Sequence, residues 1–388
     1  YCILTGEKMQ ATSSLRVTQL NLPQSVATFL KSNSQSKAVI RPDIISATSW
    51  TNQQGNGVLY LSTWTHEKGW EIENSTVTKG STTSMAGSTA SGGTSIVVNG
   101  TDKGILNLNI VQKEYDDVKS IKMVETWEPP RSQETQSAIY GLDIFEDYNR
   151  VASVTEGGAL DLAVVRPTGF STPWSNSTTS CAAYNDVKFL KDPNKIIVVG
   201  NKPKVDLEIW DVLASNHAPM QVLSSNSSNN NSFGNNCICT HPTRPEIVVT
   251  GQSNGGIKIW DIRKQNTPLL KSMIGHTLDI WDMKFHPQNP SLLLSIGQDG
   301  NILRWNISDY TPSSNINNPI NNNNNNNMML VDPTKNNTSI ESVNLSFDIL
   351  CSSNGVVGNS IDIDGMTGSM VAAYDDGCLI CCDDVDMM

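Results

Sequence analysis

The chain has 388 residues, of which 38% are hydrophobic and 17% charged, with a formal net charge of −11. That length suits one large β domain or two average ones. An acidic chain without a Lys/Arg cluster is a poor candidate for direct contact with nucleic acid, and apolar runs such as 196–199 and 292–294 are too short to enter a bilayer as a span.

Residues 1–25 show no clear periodicity and are read as an extension. Residues 27–34, 37–41, 44–50 and 58–64 are predicted strands, and 27–34 is the candidate to close a ring by completing its last repeat. The Ser/Thr/Gly stretch about 73–95 is expected to be a disordered loop. Short strands follow at 96–98, 105–110, 138–145, 150–154 and 159–165, then at 187–190, 195–199 and 205–210. An Asn/Ser tract at about 224–236 separates these from a strand at 237–241, and an Asn-rich tract spans about 311–340. Strands at 342–351, 360–363, 369–373 and 378–382 are read as the last repeat.

The clearest repeat lies between Val248 and Ser308, where two aliphatic runs each pass through a Gly-containing turn into a strand that ends in Trp. Gly251 to Gly256 and Gly297 to Gly300 supply the residues that tolerate tight hairpin geometry. Trp260 and Trp305 are 45 residues apart, a spacing that suits one propeller blade. Trp64, Leu108, Leu162, Trp210, Trp260, Trp305 and Cys382 mark comparable strand ends, so the count predicts an all-β, seven-bladed propeller over residues 26–388 with long disordered insertions.

Motifs for chemistry are sparse. Gly251-Gln252-Ser253-Asn254-Gly255 matches the hydrolase elbow, but that device needs a helix after the turn, whereas 256–261 alternate as a strand. Cys378 and Cys381 stand three apart on a predicted strand and so face opposite ways; Cys237 and Cys239 share a face but lack a second ligand pair. The eight cysteines read as buried thiols of an intracellular protein rather than a disulfide framework. His241-Pro242 and His286-Pro287 occupy one repeated turn, and Asp383, Asp384 and Asp386 read as a solvated tail. No catalytic, cofactor-binding or metal-binding residue is assigned, and no enzymatic activity is expected.

Trp260-Asp261, Trp210-Asp211 and Gly275-His276 make the chain resemble the WD40-repeat family. The resemblance implies that His276, Ser295, Asp299 and Trp305 form one hydrogen-bonded chain within a blade. It also raises a docking alternative: Trp260-Asp261-Ile262-Arg263 matches the W-D-x-R pattern by which some WD40 substrate receptors bind a cullin ubiquitin-ligase adaptor, with Arg263 as the docking residue.

A narrower resemblance, to the nucleoporin forty-three family of the Y-shaped outer-ring subcomplex, rests on several pieces. They are Ser46-Ala47-Thr48-Ser49-Trp50, Leu207-Glu208-Ile209-Trp210-Asp211, and the run from Ile280-Trp281-Asp282 through Phe285-His286-Pro287-Gln288-Asn289-Pro290. It implies a hetero-oligomeric scaffold held by the short-arm α-solenoid nucleoporin, sited at the nuclear envelope and, in dividing cells, at kinetochores, with indirect roles in mRNA and protein transport. A peptide-reading propeller is the rival binding class, and it would show an acidic or aromatic-lined central face.

Overall fold

The computed structural model describes residues 27–29, 44–51, 57–65, 69–89, 95–114, 117–128, 137–145, 150–166, 169–176, 183–214, 218–225, 233–307, 347–353, 355–364, 368–375 and 378–382. The expected extension 1–25, most of the 224–236 tract and the whole of the 311–340 tract lie outside these residues, as do His66 and His217. Every regular element among the described residues is a β-strand.

The strands form antiparallel sheets in chain order. The first contains β1 (Ala27–Phe29), β2 (Ile44–Thr51), β3 (Gly57–Thr65) and β4 (Gly69–Thr78). The second contains β5 (Thr82–Thr89), β6 (Ser95–Thr101), β7 (Leu106–Glu114) and β8 (Asp117–Trp127). The third contains β9 (Ile139–Phe145), β10 (Arg150–Thr155), β11 (Leu160–Arg166) and β12 (Gly169–Asn176). The fourth contains β13 (Tyr184–Phe189), β14 (Lys195–Gly200), β15 (Leu207–Asp211) and β16 (Gln221–Leu223). The fifth contains β17 (Asn235–Thr240), β18 (Ile247–Gln252), β19 (Gly256–Asp261) and β20 (Leu269–Ile274). The sixth contains β21 (Ile280–Phe285), β22 (Leu292–Gly297), β23 (Asn301–Asn306) and β24 (Phe347–Ser352). The last contains, among the described residues, β25 (Gly358–Ile363), β26 (Met370–Tyr374) and β27 (Leu379–Cys382).

The expectation of seven complete blades is therefore corrected: among the described residues six sheets have four strands, and the last repeat is a three-stranded sheet. Two further expectations change with it. β1 pairs with β2 inside the first sheet, not with β27, so it does not complete the last repeat. The strand predicted to open that repeat is instead β24, which pairs with β23 as the outer strand of the sixth sheet.

The 73–95 stretch is also corrected, because most of it forms the end of β4 and all of β5. Threonine suits a strand, and β5 is the inner strand of its sheet, where small Ser, Ala and Gly side chains relieve crowding around the axis.

The strands read as unbroken apolar runs because both faces of each sheet are covered. Leu293 packs into the core shared with the fifth sheet, beside Val249 and Ile259. Its neighbour Leu294 points the other way, into the core shared with Ile361, Met370 and Ile380 of the last sheet. Val248 and Val249 divide in the same manner between the fourth and sixth sheets. Alternation along a strand thus assigns successive residues to successive sheet interfaces rather than to core and solvent.

Candidate functional site

In the sixth sheet, His276 precedes β21 and is buried. Its Nδ1 lies 2.9 Å from Asp299 Oδ1, and its Nε2 lies 2.7 Å from Ser295 Oγ. Trp305 Nε1 donates to the same Ser295 Oγ at 2.8 Å. A neutral imidazole protonated on Nδ1 satisfies the whole chain: His276 donates to Asp299, Ser295 donates to His276, and Trp305 donates to Ser295. Asp299 also accepts the Thr277 amide at 2.9 Å and the Asn301 amide at 3.1 Å. Burial alone would raise its carboxyl, but the His276 donor and these amides hold it down at about 2.

Local backbone makes this arrangement possible. Gly300 turns the hairpin at a φ of 76°. A Cβ on Gly275 would stand 2.4 Å from the Trp305 ring, so glycine before His276 lets the indole pass beneath the chain.

Trp260-Asp261 and Trp210-Asp211 vary the theme. Trp260 Nε1 donates to Thr250 Oγ1 at 3.0 Å, with Thr250 ten residues before it as Ser295 is before Trp305. By strand register the matching position, opposite Glu208, is Val198, which has no hydroxyl. The Trp210 indole turns instead to Glu208 Oε2 at 3.3 Å, and the buried Glu208 also accepts from Tyr184 Oη at 2.7 Å and Lys202 Nζ at 2.6 Å. Burial and the Glu208 charge push the Tyr184 hydroxyl well above its ordinary range. Sequence pattern did not reveal Glu208, because its role depends on the absence of a hydroxyl on the neighbouring strand β14.

Asp211 and Asp261 each cap the turn after their Trp, accepting the amides of Leu213 and Arg263 at 3.0 and 3.2 Å. Arg263 donates back to both Asp261 oxygens from Nε and Nη2 at 2.9 and 2.8 Å. Its guanidinium is thus held within its own blade, and this geometry lends no support to adaptor docking. His241 and His286 each accept a backbone amide three residues on, from Arg244 at 3.1 Å and Asn289 at 2.9 Å, so they serve one repeated turn.

Gly251 to Gly255 spans the end of β18 and the turn into β19, an antiparallel hairpin, so Ser253 is not on a strand-to-helix elbow. Among the described cysteines, Cys237, Cys239, Cys378, Cys381 and Cys382 are buried. Among the described residues no group of three or more His, Cys, Asp or Glu side chains converges to hold a metal.

The arrangement with room for a ligand is the centre of the ring. The inner strands β5, β9, β13, β17, β21 and β25 line a cavity of about 310 Å³. Each carries a β-bulge near its start, at Thr83, Tyr140, Asn185, Asn236, Trp281 and Asn359. A bulged residue leaves the ladder and re-aims its side chain, and all six of these line the cavity. The Thr and Asn members bond sideways: Thr83 donates to Ile139 O at 2.5 Å, Asn185 to Asn235 O at 2.9 Å and Asn359 to Asp375 Oδ1 at 2.8 Å. Tyr140 and Trp281 instead stand 42% and 41% exposed.

Below that rim, carboxylates tie one inner strand to the next. Asp143 accepts the Phe189 amide at 2.7 Å, Asp186 the Ile238 amide at 2.9 Å, and Asp282 the Ile361 amide at 3.1 Å. Lys188 Nζ stands 3.9 Å from Asp143 and 3.6 Å from Asp186, and Lys284 Nζ stands 3.6 Å from Asp362. Burial nonetheless pushes the Asp143 and Asp282 carboxyls up, and Asp362 above all holds the Lys284 ammonium above its usual range.

The chain matches the family model described as WD domain, G-beta repeat, over residues 267–306, the segment that carries His276, Ser295, Asp299 and Trp305. It is 33% identical to the nucleoporin Nup43 of Homo sapiens over 128 residues, which are 32% of this chain and 31% of that relative. It is 30% identical to the nucleoporin Nup43 of Mus musculus over 168 residues, 43% and 41% of the two chains. The nuclear pore complex protein nup43 of Dictyostelium discoideum is 24% identical over 169 residues, 44% and 38% of the two. The matched segments span less than half the length of these relatives.

Proposed function

We propose that this chain, a WD40 propeller of the Nup43 type, is a non-enzymatic scaffold subunit of the nuclear pore. The observation that carries this reading is the similarity to nucleoporins named Nup43 in three organisms, joined to a WD40 repeat whose buried polar chain is complete.

The finer form of the proposal places the protein in the Y-shaped outer-ring subcomplex as a hetero-oligomer, docked on the short-arm α-solenoid nucleoporin. There it supports mRNA and protein transport indirectly, with a further site at kinetochores in dividing cells. A propeller suits such work because its stiff sheets keep one surface shape, so little freedom is lost on docking. Its perimeter presents exposed aliphatic side chains on successive outer strands, Val222 on β16, Ile274 on β20 and Ile349 on β24. These favour docking by the rim of the ring over docking through a catalytic cleft.

The test is affinity purification of the tagged full chain from its own cells, washed in moderate salt. Recovery of Y-subcomplex nucleoporins in near-equal amounts supports the scaffold reading. Their absence, with a cullin adaptor in their place that disappears with Arg263→Ala, overturns it.

A further inference from the structure

We propose that Thr267, in the turn between β19 and β20, is a phosphorylation site for a proline-directed protein kinase, with the Arg263 guanidinium as the group that receives the phosphate. The site is independent of the scaffold reading, because it concerns the chemistry of one turn rather than what the ring assembles with.

The first argument is exposure. Arg263, Lys264, Gln265, Asn266 and Thr267 are exposed, five in succession, and elsewhere among the described residues no more than two exposed residues follow one another. A kinase takes its target segment in an extended form, so it needs such a run rather than a lone surface hydroxyl. The second is sequence. Thr267 is followed by Pro268, which lacks an amide N–H, and proline-directed kinases select that property. Thr172-Pro173 and Thr311-Pro312 are the other such pairs of the chain. Thr172 lies inside β12, where Ser171 and Trp174 on either side of the pair hold the strand to β11, and Thr311 lies outside the described residues.

The third argument is how the turn is held. Pro268 is buried, and its carbonyl accepts the Asp261 amide at 2.8 Å. Beyond it the ladder is irregular: Trp260 pairs with Leu269 but Ile259 with Lys271, so Leu270 has no opposite residue. Residues 263–269 therefore lift off β19 with loss of the pairings at Asp261 and Trp260 alone, which presents Pro268 without unzipping the rest of β20.

The fourth is charge. Arg263 folds back onto Asp261, and the Asp261 amide bonds the residue after Thr267, so the guanidinium stands at the same end of the hairpin. Asp261 takes Nε and Nη2, whereas Nη1 stands 3.8 Å from Glu246, beyond hydrogen-bond length. A phosphothreonine carries a charge of about −1.5 to −2 at neutral pH and accepts guanidinium donors in pairs. In the transfer, Thr267 Oγ1 forms a bond to the γ-phosphorus of a nucleoside triphosphate and the bond from that phosphorus to the bridging oxygen breaks. The hydroxyl proton goes to the carboxylate base of the kinase, and the nucleoside diphosphate leaves with its magnesium.

The experiment treats the purified, folded full chain with magnesium, ATP and a purified cyclin-dependent kinase, chosen because it selects proline after the target hydroxyl. All samples carry Thr311→Ala, so label at that position does not enter the rate. Phosphate is located by peptide mass mapping, and a free peptide of residues 259–273 is run in parallel. The expected result is phosphate on Thr267 at an initial rate within tenfold of that on the peptide. Thr267→Ala should abolish it and leave the melting temperature unchanged, because the side chain is exposed. A rate on the folded chain more than tenfold below that of the peptide overturns the site, as does failure of both substrates or equal labelling of Thr172. The receiving group is read by phosphorus NMR titration of the modified chain. The phosphate should titrate at least about 0.5 below the phosphorylated peptide, with Arg263→Gln removing the difference. Titration equal to that of the peptide overturns the role of Arg263.

Discussion

Asp282 Oδ2 accepts the backbone amide of Ile361 at 3.1 Å, joining the inner strands of the sixth and last sheets across 79 residues of sequence. Asp186 and Ile238 repeat the relationship between the fourth and fifth sheets. These bonds fix how one blade sits against the next, which packing of aliphatic side chains alone leaves free to slide. Asp282→Ala, which orphans the Ile361 amide, is expected to cost about 1–3 kcal/mol. Asp282→Asn keeps an acceptor and removes a desolvated charge, so it should cost clearly less. Denaturant melts of both variants check the order; equal losses would show that the charge, not the acceptor, matters.

Ser295 stands between two buried donors or acceptors, His276 and Trp305. Ser295→Ala strands both, and a loss of about 2–4 kcal/mol is expected, taking roughly 1–2 per unsatisfied group. Thr250→Val in the fifth sheet strands only the Trp260 indole. It should lower stability by about half as much, which parallel unfolding curves will show.

Asp299 gives acid sensitivity of a defined sign. Its carboxyl is held at about 2 in the folded chain, below its value when unfolded. The stability this adds is complete above the unfolded value near 4 and is lost as pH falls through about 2. Melting temperatures of the parent chain and Asp299→Asn, taken between pH 5 and pH 2, should therefore converge as pH falls. A constant gap would mean that the Asp299 charge adds nothing.

Glu208 gathers Tyr184, Trp210 and Lys202 in the fourth sheet. Glu208→Ala leaves the first two groups buried without an acceptor, at an expected cost of about 2–4 kcal/mol. Lys202 is partly exposed and can turn to water, so its loss of a partner should add little. Glu208→Gln retains an acceptor and should recover much of the difference.

Much of the fold was legible because each repeat spells its hairpin turns with Gly, Asn and Asp and closes its third strand with an apolar or Trp residue. Trp210, Trp260 and Trp305 all lie on such strands, β15, β19 and β23. The outer strands β4, β8, β12, β16 and β20 were not legible. They are short or half-exposed and rich in Ser, Thr and charge, so they lack the apolar signal that both-faced burial writes into the middle strands. The chain Asp299–His276–Ser295–Trp305 was expected only from the WD40 resemblance, and its four residues lie within one sheet and the turns that flank its strands.

The cavity could not be named. Whether Trp281 faces a core or an opening depends on a bulge, and whether Asp143 meets Phe189 or Asp282 meets Ile361 depends on how neighbouring sheets are placed. Local sequence by itself determined the repeat and its turns, and the WD40 resemblance implied the buried hydrogen-bonded chain, whose bonds form within one sheet. Only the tertiary structure decided that six sheets are complete, that β24 belongs to the sixth, and which side chains share the axis. Those outcomes follow from contacts between segments far apart in the chain, where the spacing of residues in sequence carries no geometric information.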